Sequence, residues 1–128
     1  MTDFEKCKVN YKAALKVQNS YRTKAKRRFS KVFSAEELNG LTTKSDYNSV
    51  YFEKLNKYNI WKCDFFIFPI LNSDRTKIVE IGFRSQNELF PELPQFISDK
   101  KQQILEIFTE LYFNYLSDCK VLEENKLK

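Results

Sequence analysis

The sequence predicts a single α+β domain in which two long helices pack on one face of an antiparallel β-hairpin. Three observations carry that prediction: an apolar stripe of helical period through the first quarter of the chain, a change to strand-like composition near Ile60, and a second helical stripe after Ser98. A length of 128 residues suits one substantial core rather than two, and only 2 Gly and 3 Pro leave few breaks in regular structure. The 12 Phe and 7 Tyr supply ample apolar area for that core.

In the first element, Phe4, Cys7, Tyr11, Ala14, Leu15, Tyr21, Ala25, Phe29 and Val32 fall within an arc of about 120°, the width of a core-facing stripe. No Gly or Pro interrupts it, and a helix of roughly 28 residues within about 3–33 would extend about 42 Å. Gln18 and Arg22 intrude on the stripe. Lys6, Lys12, Lys16, Lys24, Arg27 and Lys31 lie on the opposite face, with Lys8, Lys26 and Arg28 beside the stripe.

A second, shorter helix is expected after Asn39-Gly40. Ser45 or Asp46 would cap it, and Tyr47, Val50, Tyr51, Leu55 and Tyr58 recur at intervals of three and four. The next stretch, from Ile60 to Leu71, is rich in Phe and Ile; a turn at Asn72 to Arg75 joins it to Thr76 to Arg84 as a hairpin. Its even loop predicts Phe66 opposite Ile81, Phe68 opposite Val79 and Asp64 opposite Phe83. The face expected to meet the helices is then Phe66, Phe68, Ile70, Val79, Ile81 and Phe83. The other face, with Trp61, Cys63, Phe65 and Ile67 beside Glu80, Gly82 and Arg84, is mixed rather than polar. It calls for helices on both sides or for an edge and face offered to another chain, so the protein is expected as a monomer or a homodimer. Pro69 fits an edge or a bulge.

Pro91 and Pro94 frame a connection that Phe90, Leu93 and Phe96 fasten to the body. The last helix, capped at Ser98 or Asp99, runs about 24 residues along Ile104, Leu105, Phe108, Leu111, Tyr112, Tyr115, Leu116, Cys119 and Leu122. The charged residues 123–128 are expected to fray.

Charge is segregated. Residues 1–35 hold ten Lys/Arg against Asp3 and Glu5, a formal +8, whereas the remainder holds twelve Lys/Arg against fifteen acids, a formal −3. Such a basic arm on a mildly acidic body favours a polyanion or an acidic protein surface as partner.

Several chemistries lack their residues. With no His, neither a Ser–His nor a Cys–His arrangement can form within the chain, and the three separated cysteines, Cys7, Cys63 and Cys119, offer no C-x-x-C pair for zinc. Two glycines cannot make a phosphate-binding or dinucleotide-binding loop. No cofactor or metal is expected. Asp64 and Glu80 are the only acids in the expected strands, and a metal-dependent nuclease built on them is the remote alternative; the expected pairing puts them on opposite faces. Cys7 and Cys119 lie on the apolar stripes as small core residues, whereas Cys63 is expected to be more exposed. No apolar run is long enough to span a membrane, and the acidic start is unlike a signal peptide, so the expected compartment is cytoplasmic, nuclear or the cytoplasm of a host cell.

The functional expectation is a non-catalytic, weakly sequence-specific protein that binds DNA or RNA through phosphate contacts. Arg22, Lys24, Lys26, Arg27, Arg28 and Lys31 are the leading contacts, supported by Lys12 and Lys16. The alternative is a small inhibitor or effector, of phage or mobile-element type, that blocks a larger nucleic-acid enzyme through protein–protein contacts.

Overall fold

Thr2 starts the first helix. Its hydroxyl accepts the Glu5 amide at 3.1 Å, Asp3 and Glu5 occupy the first turn, and Lys26, Arg27 and Arg28 occupy the last, so both ends of the helix dipole are matched. This helix, α1 (Asp3–Phe29), stops short of the expected residue 33; the chain turns at Ser30 and buries Val32 and Phe33 instead. The computed structural model describes residues 1–86 and 90–128. A reciprocal cap between Ser34 and Glu37 then opens a single turn, α2 (Ala35–Leu38), which ends at left-handed Asn39 (φ 47°) and Gly40 (φ 89°).

The expected second helix is a β-hairpin. Strands β1 (Thr42–Asp46) and β2 (Ser49–Leu55) pair antiparallel across the two-residue turn Tyr47-Asn48. Tyr47, Val50, Tyr51, Leu55 and Tyr58 do repeat at helical intervals, but Phe52 has no place on that stripe and is fully buried. Alternation wins: Val50 and Phe52 point into the core while Tyr51 points out, in a segment rich in β-branched and aromatic residues. With β3 (Trp61–Leu71) and β4 (Ile78–Ser85) they form one antiparallel sheet in the order β1-β2-β3-β4.

The β3–β4 hairpin exists, but its register differs from expectation. Phe66 pairs with Arg84, Phe68 with Gly82 and Ile70 with Glu80, a shift of three residues that reverses the faces of β3. Phe65 and Ile67, expected on the mixed face, are fully buried under the helices, and Phe66, Phe68 and Ile70 lie on the far side. The cause is the loop. Asn72 closes it by donating its amide to the Lys77 carbonyl at 2.9 Å, Arg75 adopts φ 61°, and Val79 bulges between the pairs Ile70–Glu80 and Leu71–Ile78. A second bulge, at Asp64, opposes Phe52 with both Asp64 and Phe65 and buries both. Pro69 pairs with Ile81 beyond Ile67, the last β3 residue matched to β2, where one side of the strand has no ladder to interrupt.

After a short turn of helix, α3 (Gln95–Ser98), the last helix is α4 (Lys101–Glu124), of the expected 24 residues. The expected caps Ser98 and Asp99 belong to the end of α3, and no side chain caps α4 at Lys100. Helices α1 and α4 lie antiparallel on one sheet face, joined by Phe29 against Phe108 (ring centroids 5.0 Å) and Tyr21 against Tyr115 (5.2 Å). Beneath them Val50, Phe52, Phe65 and Ile67 of the sheet, with Ile97 of α3 and Ile104 of α4, complete a fully buried core.

The sheet ends before the helices do. Tyr47, in the β1–β2 turn, stacks on Tyr115 at 3.8 Å, and past that level α1 and α4 have no strand below them. The first half of the expected stripe is therefore uncovered: Phe4 is 77% exposed and Tyr11 65%, and Cys7 is exposed rather than in the core. Over these turns α1 instead presents Lys6, Asn10, Ala13 and Val17 to α4 and to the residues after it. Asn10 exchanges two hydrogen bonds with Leu127, and Lys6 donates to the Lys128 carbonyl.

Two substitutions test this packing. Ser45, on the core face of β1, has a buried hydroxyl without a hydrogen-bond partner among the described residues. Ser45→Ala removes that desolvated group and is expected to raise stability by about 1 kcal/mol in urea denaturation. At Gly82 a Cβ would come within 2.2 Å of the Phe68 ring. Gly82→Ala must displace that ring and is expected to cost about 1–3 kcal/mol in the same measurement.

Candidate nucleic-acid interface

Helix α1 brings the expected cations to the surface but does not leave all of them free. Arg22 Nε lies 2.8 Å from Asp46 Oδ1 in β1, and Arg28 Nη1 lies 2.7 Å from Glu110 Oε2 in α4. Both pairs are substantially exposed and worth about 0.2–1 kcal/mol each. Their larger consequence is neutralisation: these two guanidinium groups dock α1 to the body. Lys24 sits with its ammonium 4.5 Å from the Tyr21 ring centroid.

The other expected contacts, Lys12, Lys16, Lys26, Arg27 and Lys31, are exposed, as is Lys24, and none pairs with a described acid. Helical spacing puts Lys8, Lys12, Lys16, Lys26 and Arg27 on the flank of α1 that faces away from α4, with Asn19 and Thr23 between them. From Lys8 to Arg27 this ridge runs about 28 Å. Lys8, placed beside the apolar stripe by sequence reasoning, joins it because the helix rests on α4 through a different face. Lys24 lies off the ridge over the Tyr21 ring, and Lys31, expected on the helix, falls in the turn that follows it, because α1 ends at Phe29. One acid, Glu5, stands at its start.

By register Glu80 pairs with Ile70 on the far side of the sheet, but its carboxylate reaches α4. The bulge turns Asp64 inward beside Phe65, whereas Glu80 is exposed and lies 2.9 Å from Lys101. Its carboxyl is held below the usual range by the Ile81 amide first and then by Lys101. No cluster of three or more metal-ligating side chains occurs among the described residues. The Cys63 thiol is half-buried, and burial raises its pKa.

Where the helices leave the sheet, Tyr21 donates its hydroxyl to Asp118, and Tyr115 lies between Tyr21 and Tyr47. Burial, and then the Asp118 hydrogen bond, pushes the Tyr21 phenol up to about 12 from an ordinary value of 10.0. A folded-state pKa raised in this way gives stability that is complete below pH 10 and is lost as pH rises through 12. Alkaline unfolding monitored by circular dichroism is therefore expected to show a drop across that window. The drop is expected to be smaller in Tyr21→Phe.

No helix among the described residues is long and apolar enough to cross a membrane. No protein-family model matches the chain, and neither curated proteins nor solved structures give a match.

Proposed function

We propose that the protein binds nucleic acid without catalysis, through phosphate contacts along the outward flank of α1. The observation that carries this reading is the ridge of Lys8, Lys12, Lys16, Lys26 and Arg27, which no described acid neutralises, while neighbouring Arg22 and Arg28 are paired to acids. A polyanion with regularly spaced charges gains from such a row by releasing counterions, and base identity contributes little. The reading is tested by fluorescence anisotropy of a labelled oligonucleotide with the wild type and with a Lys16→Glu/Arg27→Glu variant.

The second reading, a protein-binding inhibitor with an acidic partner surface, is favoured by Phe4, Tyr11 and Leu15, which stand exposed on the same helix. Salt separates the two: phosphate binding weakens steeply as salt rises, an aromatic interface much less.

A further inference from the structure

The far face of the sheet, away from the helices, carries a row unlike a solvated surface. Lys44 pairs with Tyr51, Tyr51 with Phe66 and Phe66 with Arg84, so one line across all four strands reads cation, aromatic, aromatic, cation. The Tyr51 and Phe66 rings are 5.3 Å apart, and Phe68 continues the strip 5.9 Å from Phe66, lying over the bare backbone of Gly82. These three rings are half-buried, Lys44 and Arg84 are exposed, and neither cation pairs with a described acid. Trp61, 54% exposed, lies on the same face two rows away, where it pairs with Leu55.

The row is connected to the ridge. A groove of about 330 Å³ at the β1 edge is lined by Arg22 of α1, which Asp46 neutralises, together with Lys44, Tyr51 and the acid Glu53. At the other end of the strip, a groove of about 400 Å³ brings Arg75 and Arg84 beside Phe66 and Phe68. A chain lying on α1 can thus pass over the edge strand onto the aromatic strip, meeting Lys44 at one end, with Glu53 beside it, and Arg75 and Arg84 at the other.

We propose that this face stacks unpaired bases, so that the ligand of the protein is single-stranded nucleic acid, its phosphates on the α1 flank and its bases on Tyr51, Phe66 and Phe68. The inference rests on the phosphate-binding reading and goes beyond it by selecting single strands. Flat aromatic rings beside cations are the chemistry that holds a splayed strand, because every base offers a π-face and every linkage a charge. A second copy of the chain fits less well. Both ends of the row are positive, and pairing the row with itself across a two-fold axis sets cation against cation.

The test uses the full chain, a thymidine oligonucleotide of about a dozen residues, and an abasic oligomer of equal length. Trp61, the single tryptophan, reports on the face. The expected result is quenching of Trp61 emission by the thymidine strand but not by the abasic one, with the thymidine strand bound about tenfold or more tightly. Tyr51→Leu/Phe66→Leu, which keeps apolar bulk on the sheet, should reduce thymidine binding to the abasic level, whereas Tyr51→Phe should bind as the wild type does. Equal wild-type affinity for the two oligomers, or a double variant that binds as the wild type does, overturns the stacking face and leaves the ridge standing. A wild type that binds neither overturns both.

Discussion

Reversing Lys16 and Arg27 to glutamate is expected to lower oligonucleotide affinity about a hundredfold at low salt while shifting unfolding by no more than about 0.5 kcal/mol. Both side chains are exposed, and neither is held by a described acid, so folding loses no contact when they change sign. Binding loses two phosphate contacts and gains two repulsions. Reversing Arg22 or Arg28 should behave differently, because each would place like charges together, against Asp46 or Glu110, and loosen α1 from the body. Anisotropy gives the affinity and urea denaturation the stability; a ridge variant that binds normally would remove α1 as the contact.

The largest stability contrast is expected between neighbours. Phe65→Ala should cost about 3–5 kcal/mol and Phe66→Ala only about 1 kcal/mol in urea denaturation. Phe65 is fully buried and stacks on Phe52 at 4.4 Å, with Phe90 at 4.7 Å, so its loss opens a cavity in the centre of the core. Phe66 is half-buried against Tyr51 on the open face, where water fills the space that it leaves. For a domain stable by about 5–15 kcal/mol, the first substitution removes a large share of the total. Had the hairpin taken the register that its loop length suggests, the order of the two costs would be reversed.

That reversal illustrates what the sequence makes legible. The long helices are legible because α1 and α4 repeat an apolar stripe over many turns, and the mixed α+β architecture follows from the change of period between them. The β1–β2 hairpin is hidden because Tyr47, Val50, Tyr51, Leu55 and Tyr58 match helical spacing by coincidence. The contrary signals were Phe52, off that stripe, and the β-branched pair Thr42-Thr43. The β3 faces are hidden for a local reason: the Asn72 loop and the Val79 bulge shift the pairing by an odd number, and alternation then inverts every side chain. In the candidate interface, the cluster of cations was legible, but not its division into paired Arg22 and Arg28 and a row that no described acid pairs. That division depends on Asp46 and Glu110, which are far away in sequence. The row from Lys44 to Arg84 required all four strands in register and had no signal within any one segment.

The central claim, phosphate binding by the α1 flank, is tested most directly by titrating wild-type oligonucleotide affinity against salt. Three to five phosphate contacts on a single strand predict a slope of log affinity against log salt of about −2 to −3.5, a loss of about 20- to 130-fold between roughly 50 and 200 mM. The Lys16→Glu/Arg27→Glu variant should flatten that slope by about 1.4. Binding that is independent of salt, or no binding near 50 mM, would contradict the claim.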